Sequence, residues 1–294
     1  MKQSYIKISL ALSLSCLMLY ACKKDFLERA PLGSLDQTNL ATTAGVRGLL
    51  IGAYSLLDGY GGAGGDFATA ASNWVFGGVA SDDAYKGSDP GDQADIVSIE
   101  TYSANSANPY FNNKWRHLYD AVQRSNDVLR VMADVEGMTE QEKNALAAEA
   151  RFLRAHYHFE AKKIWNMVPW VDETITYANG NILVPNDKDI FPNIEADLKF
   201  AIANLPPTQS AVGRVNSWAA KAYLAKVYMF EKKYADAKLL FDDVIANGVT
   251  AGGKKYALVN FFDNFNPETK NSAEAVFSVQ MSVNDNSGGN NGNY

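Results

Sequence analysis

The feature that most constrains the fold of this chain is a pair of consecutive amphipathic helices in its C-terminal third. Apolar residues at helical spacing predict helices at about 217–231 and 233–247, and Gly248 is suited to end the second one. Ala225 and Ala237 lie twelve residues apart, one on each helix. Small side chains at such positions let two antiparallel helices approach closely, while larger neighbours fill the space around them. One helix pair cannot bury its own apolar face, so the pattern requires further helices that stack on it.

Other periodic segments can supply those helices. The spacing of Ala225 and Ala237 is that of the small packing residues in a tetratricopeptide repeat. Helical periodicity recurs earlier in the chain, at about 43–57, 113–134, 140–166 and 194–205. Short strands are predicted at 96–102 and, from alternating apolar and polar residues, at 277–283. The sequence therefore predicts a mainly α fold: an irregular tetratricopeptide-repeat helical scaffold with long loops and a few short strands.

The N-terminal residues have the pattern of an export signal. Lys2 and Lys7 precede an uncharged apolar run, Ile8 to Ala21, which ends directly before Cys22. The run is shorter than the ~20 apolar residues that a membrane-spanning helix needs. We therefore predict that 1–21 is a lipoprotein signal peptide and that Cys22 is lipidated. Ordinary secretion, with the cysteine a chance neighbour, is the alternative.

The rest of the chain divides into three predicted regions. Residues 22–42 are predicted to be an extended tether. Residues 43–283 are predicted to form the helical domain, and 284–294 a polar tail or the start of a further C-terminal region. A late strand followed by a tract of Gly and Asn is an unusual end for a domain. We therefore expect that the domain is incomplete and that a C-terminal portion is missing.

Composition excludes several classes of protein. The formal net charge is −6, and no long run of Lys and Arg occurs. Since phosphate contacts need clustered basic residues, we predict no nucleic-acid partner. The chain has two cysteines, Cys16 in the signal and Cys22 at its end. Neither is then available for thiol catalysis or for a Cys-based zinc site.

Three motifs that could bind a cofactor or a metal lack the context they need. Gly59 to Gly64 fits G-x-G-x-x-G, but it follows a helix, whereas a dinucleotide-binding loop follows a strand. The acidic stretch from Asp82 to Asp95 lacks the order of a calcium loop, so calcium binding there stays a minor alternative. His156 and His158 are two apart on a helix and point to different sides. We predict no cofactor, no metal site and no catalytic residues.

The stretch from 58 to 111 is predicted to be mostly irregular, and 74–110 within it is predicted to carry part of a ligand-binding site. Long irregular segments inside compact domains are uncommon and often functional. Aromatic faces beside amides and carboxylates suit sugar rings, because the ring covers C–H surface and the polar groups bind hydroxyls. The predicted ligand-binding residues are Trp74, Asp83, Tyr85, Tyr102 and Asn105. The alternative is that these aromatic residues only fasten a long loop to the core.

Several segments, taken in order, resemble the SusD/RagB family of outer-membrane lipoproteins related to the starch-utilisation D protein. The segments are Cys22 with Asp25-Phe26-Leu27-Glu28 and Pro31, Asp82-Asp83, Trp115 with Tyr119 and Arg124-Ser125-Asn126, Glu149-Ala150-Arg151-Phe152-Leu153-Arg154-Ala155 running to Val168-Pro169, and Ala219 to Ala237. They extend over nearly the whole chain. The segment from Glu149 to Ala155 is the most specific of them.

The resemblance implies a surface lipoprotein that captures nutrients without catalysis. It implies a lipid anchor at Cys22 in the cell outer membrane, exposed at the surface. It also implies capture of an oligosaccharide or other nutrient for a TonB-dependent, SusC-like transporter. Two other classes stay open: a surface-anchored glycoside hydrolase, and a tetratricopeptide-type scaffold that binds a partner protein.

Overall fold

The computed structural model describes residues 37–60, 66–87, 89 and 91–281. Within these ranges the chain forms eight α-helices. They are α1 Gln37–Leu40, α2 Thr43–Tyr54, α3 Ala94–Glu100, α4 Pro109–Ala133, α5 Glu140–Trp165, α6 Phe191–Asn204, α7 Ser217–Phe230 and α8 Tyr234–Asn247. The predicted signal peptide, Cys22 and the 284–294 tail lie outside the described residues, as does most of the Gly59–Gly64 motif. Helix α1 belongs to a compact unit separate from the one that contains α2 to α8.

Local signals in the sequence fix the ends of the long helices. Thr139 and Glu142 form the capping box that their spacing predicts, and α5 begins at the next residue. The side chain of Asn216 accepts a hydrogen bond from the backbone N–H of Ala219 at 2.8 Å and starts α7. Gly248 ends α8, as predicted. In each case a side chain or a glycine satisfies the backbone groups that a helix end leaves free.

Helices α4 to α8 pack against one another in chain order, and α2 packs on α4 and α5. Ala225 on α7 and Ala237 on α8 are both fully buried, which is the close approach that their spacing predicts. The largest fully buried side chains, Phe152, Tyr157 and Phe159, belong to α5. The prediction of a mainly α, tetratricopeptide-like scaffold is confirmed, with α5 at the centre of its core.

Two buried polar networks join the helices. Arg154 on α5 donates two hydrogen bonds to Asp197 on α6, at 2.7 and 2.9 Å, and one to Asn126 on α4 at 2.9 Å. It also pairs with Glu173. This network and the one described next both include residues of the Glu149–Ala155 segment. Because buried charges are stable only when paired, these ion pairs fix how the helices lie against one another.

The second network is centred on Glu149, also on α5. Its carboxylate accepts a hydrogen bond from Tyr54 Oη at 2.7 Å and lies 3.0 Å from Nη1 of Arg214. Tyr54 Oη in turn accepts from the backbone N–H of Val215 at 3.1 Å. The network therefore joins the end of α2, the middle of α5 and the segment that leads into α7.

The predicted short strands are wrong in the described part of the chain. Residues predicted as a strand at 96–102 form most of α3, because Ile96 and Ile99, three apart, both point into a core. Residues 277–281 also form no strand, although Phe277 packs edge-on against Phe152. The β-pairing among the described residues is an isolated antiparallel bridge between Val249 and Lys255. Periodicity alone does not separate short helices from short strands.

The stretch predicted to be mostly irregular has a small core of its own, which we call the satellite core. It consists of Ala68, Val75, Val79, Ile96, Ile99 and Tyr110. Val75 and Val79 belong to a short π-helix, Val75–Val79. The stretch is therefore a folded attachment on the N-terminal half of α4. No helix in the described part of the chain is long and apolar enough to cross a membrane.

Candidate functional site

Two segments of the predicted ligand-binding region lie side by side. The hydroxyl of Tyr102 donates a hydrogen bond to the backbone oxygen of Ala80 at 2.9 Å. The backbone N–H of Lys86 donates to the carboxylate of Glu100 at 3.2 Å. These contacts join 80–86 to 98–105, and we call the two segments together the tyrosine face. The satellite core lies beneath it, because Val79 and Ile99 belong to that core.

The tyrosine face presents four of the five predicted ligand-binding residues to solvent. Tyr85 is 79% exposed and Tyr102 is 78% exposed, and Asp83 and Asn105 are exposed as well. Asn105 uses its side-chain oxygen to accept from the backbone N–H of Ala107 at 2.9 Å, so its amide nitrogen is directed elsewhere. Exposed aromatic rings with a nearby carboxylate and amide can stack on one sugar ring and bind its hydroxyls.

The backbone of Tyr102 is in an uncommon conformation. Its φ is +54°, a left-handed value that bulky residues seldom adopt. Such a conformation persists where its surroundings hold it, and it is concentrated at ligand-binding sites. Here the ring hydroxyl of the same residue is hydrogen-bonded to Ala80. The ring of Tyr102 is thus fixed at one end although most of its surface is exposed.

Trp74 has a different environment from the other predicted ligand-binding residues. It is half-buried, packs against the satellite core and meets the ring of Phe67 edge-on, with 5.8 Å between ring centroids. Its indole N–H is buried and has no hydrogen-bond partner. This geometry matches the alternative that the residue fastens the loop. Tyr110, also in the satellite core, is buried and its pKa is raised to about 12, chiefly by burial.

The acidic stretch from Asp82 to Asp95 surrounds a lysine. The ammonium group of Lys86 donates to the backbone oxygens of Asp89 and Asp92, at 2.8 and 2.5 Å. A cation of the chain itself therefore lies at this turn. Among the residues that the structure describes, no group of three His, Cys, Asp or Glu side chains could hold a metal ion.

A second concave site lies where the 69–73 turn meets the helical scaffold, and we call it the Lys114 cleft. It is a space of about 220 Å³ between the 3₁₀ helix Ser55–Asp58 that follows α2, the 69–73 turn, α4, α5 and α7. Its polar lining residues are Thr69, Asn73, Lys114, His117, His156, Tyr157, Glu160, Lys163 and Lys226. This volume is below the ~300–1,000 Å³ of sites that take drug-sized ligands, so the cleft suits one small group.

Lys114 is a buried cation of this cleft. It is 4% exposed, and its ammonium nitrogen lies 5.8 Å from the centroid of the Phe76 ring. Among the described residues it forms no hydrogen bond and no ion pair. Burial lowers its pKa to about 8, against an opposing effect of Glu160. The carboxylate of Glu160 is bound to Lys163 instead, at 2.7 Å.

The neighbouring histidine also has an unused polar atom. Nε2 of His117 lies 2.8 Å from the backbone oxygen of Leu56. A carbonyl oxygen only accepts, so Nε2 carries the proton and Nδ1 is an acceptor. Nδ1 is buried and has no partner, and the same holds for Oδ1 of Asn73. Burial lowers the pKa of His117 to about 4, so the ring is neutral near pH 7.

The sequence alone does not predict this cleft. Its residues come from five segments that are far apart in the chain. Lys114 and His117 lie three apart on α4 and share one side of that helix, which is the one signal the sequence contains. That spacing is common in surface helices and does not by itself indicate a site.

Comparison with known proteins shows which family this chain belongs to. A family described as "Starch-binding associating with outer membrane", of SusD-like proteins, matches residues 56–229, which is more than half of the chain. SusD-like protein P25 of Formosa agariphila is 24% identical over 96% of this chain and 52% of its own length. A SusD-like protein of Bacteroides ovatus is 27% identical over 92% of this chain and 49% of its own length.

Solved structures show the same fold. A laminarin binding SusD-like protein superposes with a TM-score of 0.68 at 25% identity, over 80% of this chain and 50% of the other. In each of these three comparisons, this chain spans about half the length of the relative it matches.

Proposed function

Because this chain belongs to the SusD/RagB family, we propose that it binds a saccharide at the cell surface and delivers it to a TonB-dependent, SusC-like transporter. The observation that carries the proposal is the tyrosine face. Two tyrosine rings are each nearly four-fifths exposed, and they belong to two segments that hydrogen bonds join on a folded attachment. A ligand can stack on the Tyr102 ring at little cost in ordering it, because the hydrogen bond to Ala80 already fixes its hydroxyl end.

The proposed location follows from the N-terminal sequence and the family. Cys22 after an uncharged apolar run is the proposed site of lipidation, and the anchor would hold the protein on the outer membrane. The helical scaffold, rather than the tyrosine face, is the proposed surface for the transporter. We propose a binding role without catalysis, so turnover of a bound glycan by the purified chain would contradict it.

The experiment is isothermal titration calorimetry with a panel of oligosaccharides. Laminarin is the first probe, because one of the similar structures is a laminarin binding protein. For a ligand that binds the wild-type chain, Tyr102→Ala and Tyr85→Ala should each weaken binding about tenfold. A ring face of this kind contributes ~1–2 kcal/mol.

Tyr177→Ala is the matched control. Tyr177 is 87% exposed but lies outside the tyrosine face, so its removal should leave affinity unchanged. Trp74→Phe tests whether Trp74 binds the ligand or only fastens the loop. The variant retains the aromatic packing and deletes the unpartnered N–H, so it should bind like the wild type if Trp74 only fastens the loop. Circular dichroism should show the same helix content in every variant. If no glycan of the panel binds, or if both tyrosine variants bind like the wild type, the proposal is wrong.

A further inference from the structure

We propose that the Lys114 cleft is a second binding site, which takes the carboxylate of an acidic sugar residue. The proposal rests on the saccharide-binding function above and specifies an additional site for it. Its starting point is a buried lysine without a counter-ion in hydrogen-bonding contact. A buried ammonium group is costly unless it is paired, so a site of this kind favours an anionic partner.

The charges around the cleft support an anion. Its charged lining residues are Lys114, Lys163, Lys226 and Glu160, a surplus of two positive charges. Asp66 is close enough to Lys114 to influence it, and one positive charge remains after that carboxylate is included. This surplus contrasts with the net charge of −6 on the whole chain. The cleft is therefore a local positive site on an acidic protein.

The uncharged atoms favour an anion that also carries hydroxyl groups. Nδ1 of His117 and Oδ1 of Asn73 are acceptors without partners. A bare inorganic anion offers them no proton, whereas a sugar hydroxyl can donate to either. A space of about 220 Å³ corresponds to roughly seven water molecules, which matches one sugar residue better than an extended chain.

The arrangement assigns a role to each wall of the cleft. Lys114 on α4 would bind the carboxylate, with Lys163 and Lys226 at the rim on α5 and α7. Glu160 would hold Lys163 in place through their 2.7 Å ion pair. Hydrogen bonds already fix the 69–73 turn and the Ser55–Asp58 helix: the backbone N–H of Asn73 donates to Ala70 at 2.9 Å, and Nε2 of His117 donates to the backbone oxygen of Leu56 at 2.8 Å. The site therefore requires no large rearrangement.

The test is calorimetry of the purified chain with three probes. They are D-glucuronate, D-glucose as the uncharged match, and acetate as the bare carboxylate. We expect glucuronate to bind at least tenfold more tightly than either of the other two. Lys114→Met should lower the affinity for glucuronate at least tenfold, while Lys188→Met, at an exposed position outside the cleft, should leave it unchanged.

The variant is expected to fold, since removing an unpaired buried charge does not destabilise a core. If it does not, Lys226→Met provides a second test, with a loss of about threefold or more. Three results would overturn the proposal: glucuronate no tighter than glucose, acetate as tight as glucuronate, or equal binding by wild type and Lys114→Met. Binding of neutral glycans through the tyrosine face should be unchanged in Lys114→Met. Failure of this inference is thereby distinguishable from failure of the proposed function.

Discussion

Arg154 shows how much of the scaffold depends on single buried residues. Its side chain is almost fully buried and contacts three other parts of the chain, at Asn126, Glu173 and Asp197. Asp197 is itself buried, and burial raises the pKa of its carboxyl despite the arginine. The ion pair of Arg154 and Asp197 is therefore stable when both side chains are present, and removing one of them should destabilise the fold.

We predict that Arg154→Met lowers the free energy of unfolding by about 3–5 kcal/mol. The variant leaves the buried carboxylate of Asp197 with Arg151 alone, whose Nη1 lies 4.0 Å away. A buried charge compensated this weakly is costly. The measurement is chemical denaturation at pH 7. The double variant Arg154→Met with Asp197→Leu should recover part of the loss, because the buried carboxylate is removed and Glu173, which also loses Arg154, is partly exposed.

The matched control is the exposed pair Lys238 and Asp242, whose side chains are 74% and 57% exposed. Lys238→Met should change stability by no more than ~0.5 kcal/mol, since exposed pairs on a helix contribute little. Equal losses at Arg154 and Lys238 would contradict the assignment of Arg154 as a buried clamp.

Among the elements, the α7–α8 pair has the most specific packing. Ala237 on α8 is fully buried where the two helices meet. We predict that Ala237→Leu lowers stability by ~1–3 kcal/mol, because the larger side chain forces the helices apart. Ala235→Leu, two residues earlier on the exposed side of the same helix, should be nearly neutral. A common melting temperature for the wild type and Ala237→Leu would rule out this close approach.

The sequence predicts those elements whose signals are local. The capping box at Thr139 and the cap at Asn216 are contacts within three residues, so the starts of α5 and α7 could be predicted. Helix α3 could not be predicted as a helix. Its seven residues, with Ile96 and Ile99, fit the helical and the strand period, and only packing in the satellite core selects the helix.

The tyrosine face and the Lys114 cleft differ in how far the sequence predicts them, and the reason is again whether the signal is local. The residues of the tyrosine face lie within one stretch of sequence, so they could be predicted as a group. Their exposure, and the half-buried position of Trp74, depend on the satellite core. The Lys114 cleft is assembled from five distant segments, and its unpaired lysine is visible only after the helices stack.

At the scale of the whole molecule, the three histidines should determine how stability depends on pH. The chain contains three, and all lie in the layer formed by α4 and α5. Burial lowers the pKa of His117 to about 4, of His156 to about 4 and of His158 to about 3. His158 shows the structural reason: its Nε2 accepts from the backbone N–H of Val171 at 3.1 Å, which requires an unprotonated nitrogen.

We predict that the free energy of unfolding falls as the pH is lowered from about 6.5 to about 5. In this window the unfolded chain binds protons at its histidines, with pKa values near 6.5, and the folded chain does not. The stabilisation is therefore complete above pH 6.5 and is lost as the pH falls toward the folded values. Each histidine contributes up to ~1.4 kcal/mol per pH unit. Urea denaturation at pH 7, 6 and 5 measures the slope. A variant with His117→Gln and His158→Gln should have a clearly shallower slope, and a slope equal to that of the wild type would show that these two rings already bind protons in the folded state.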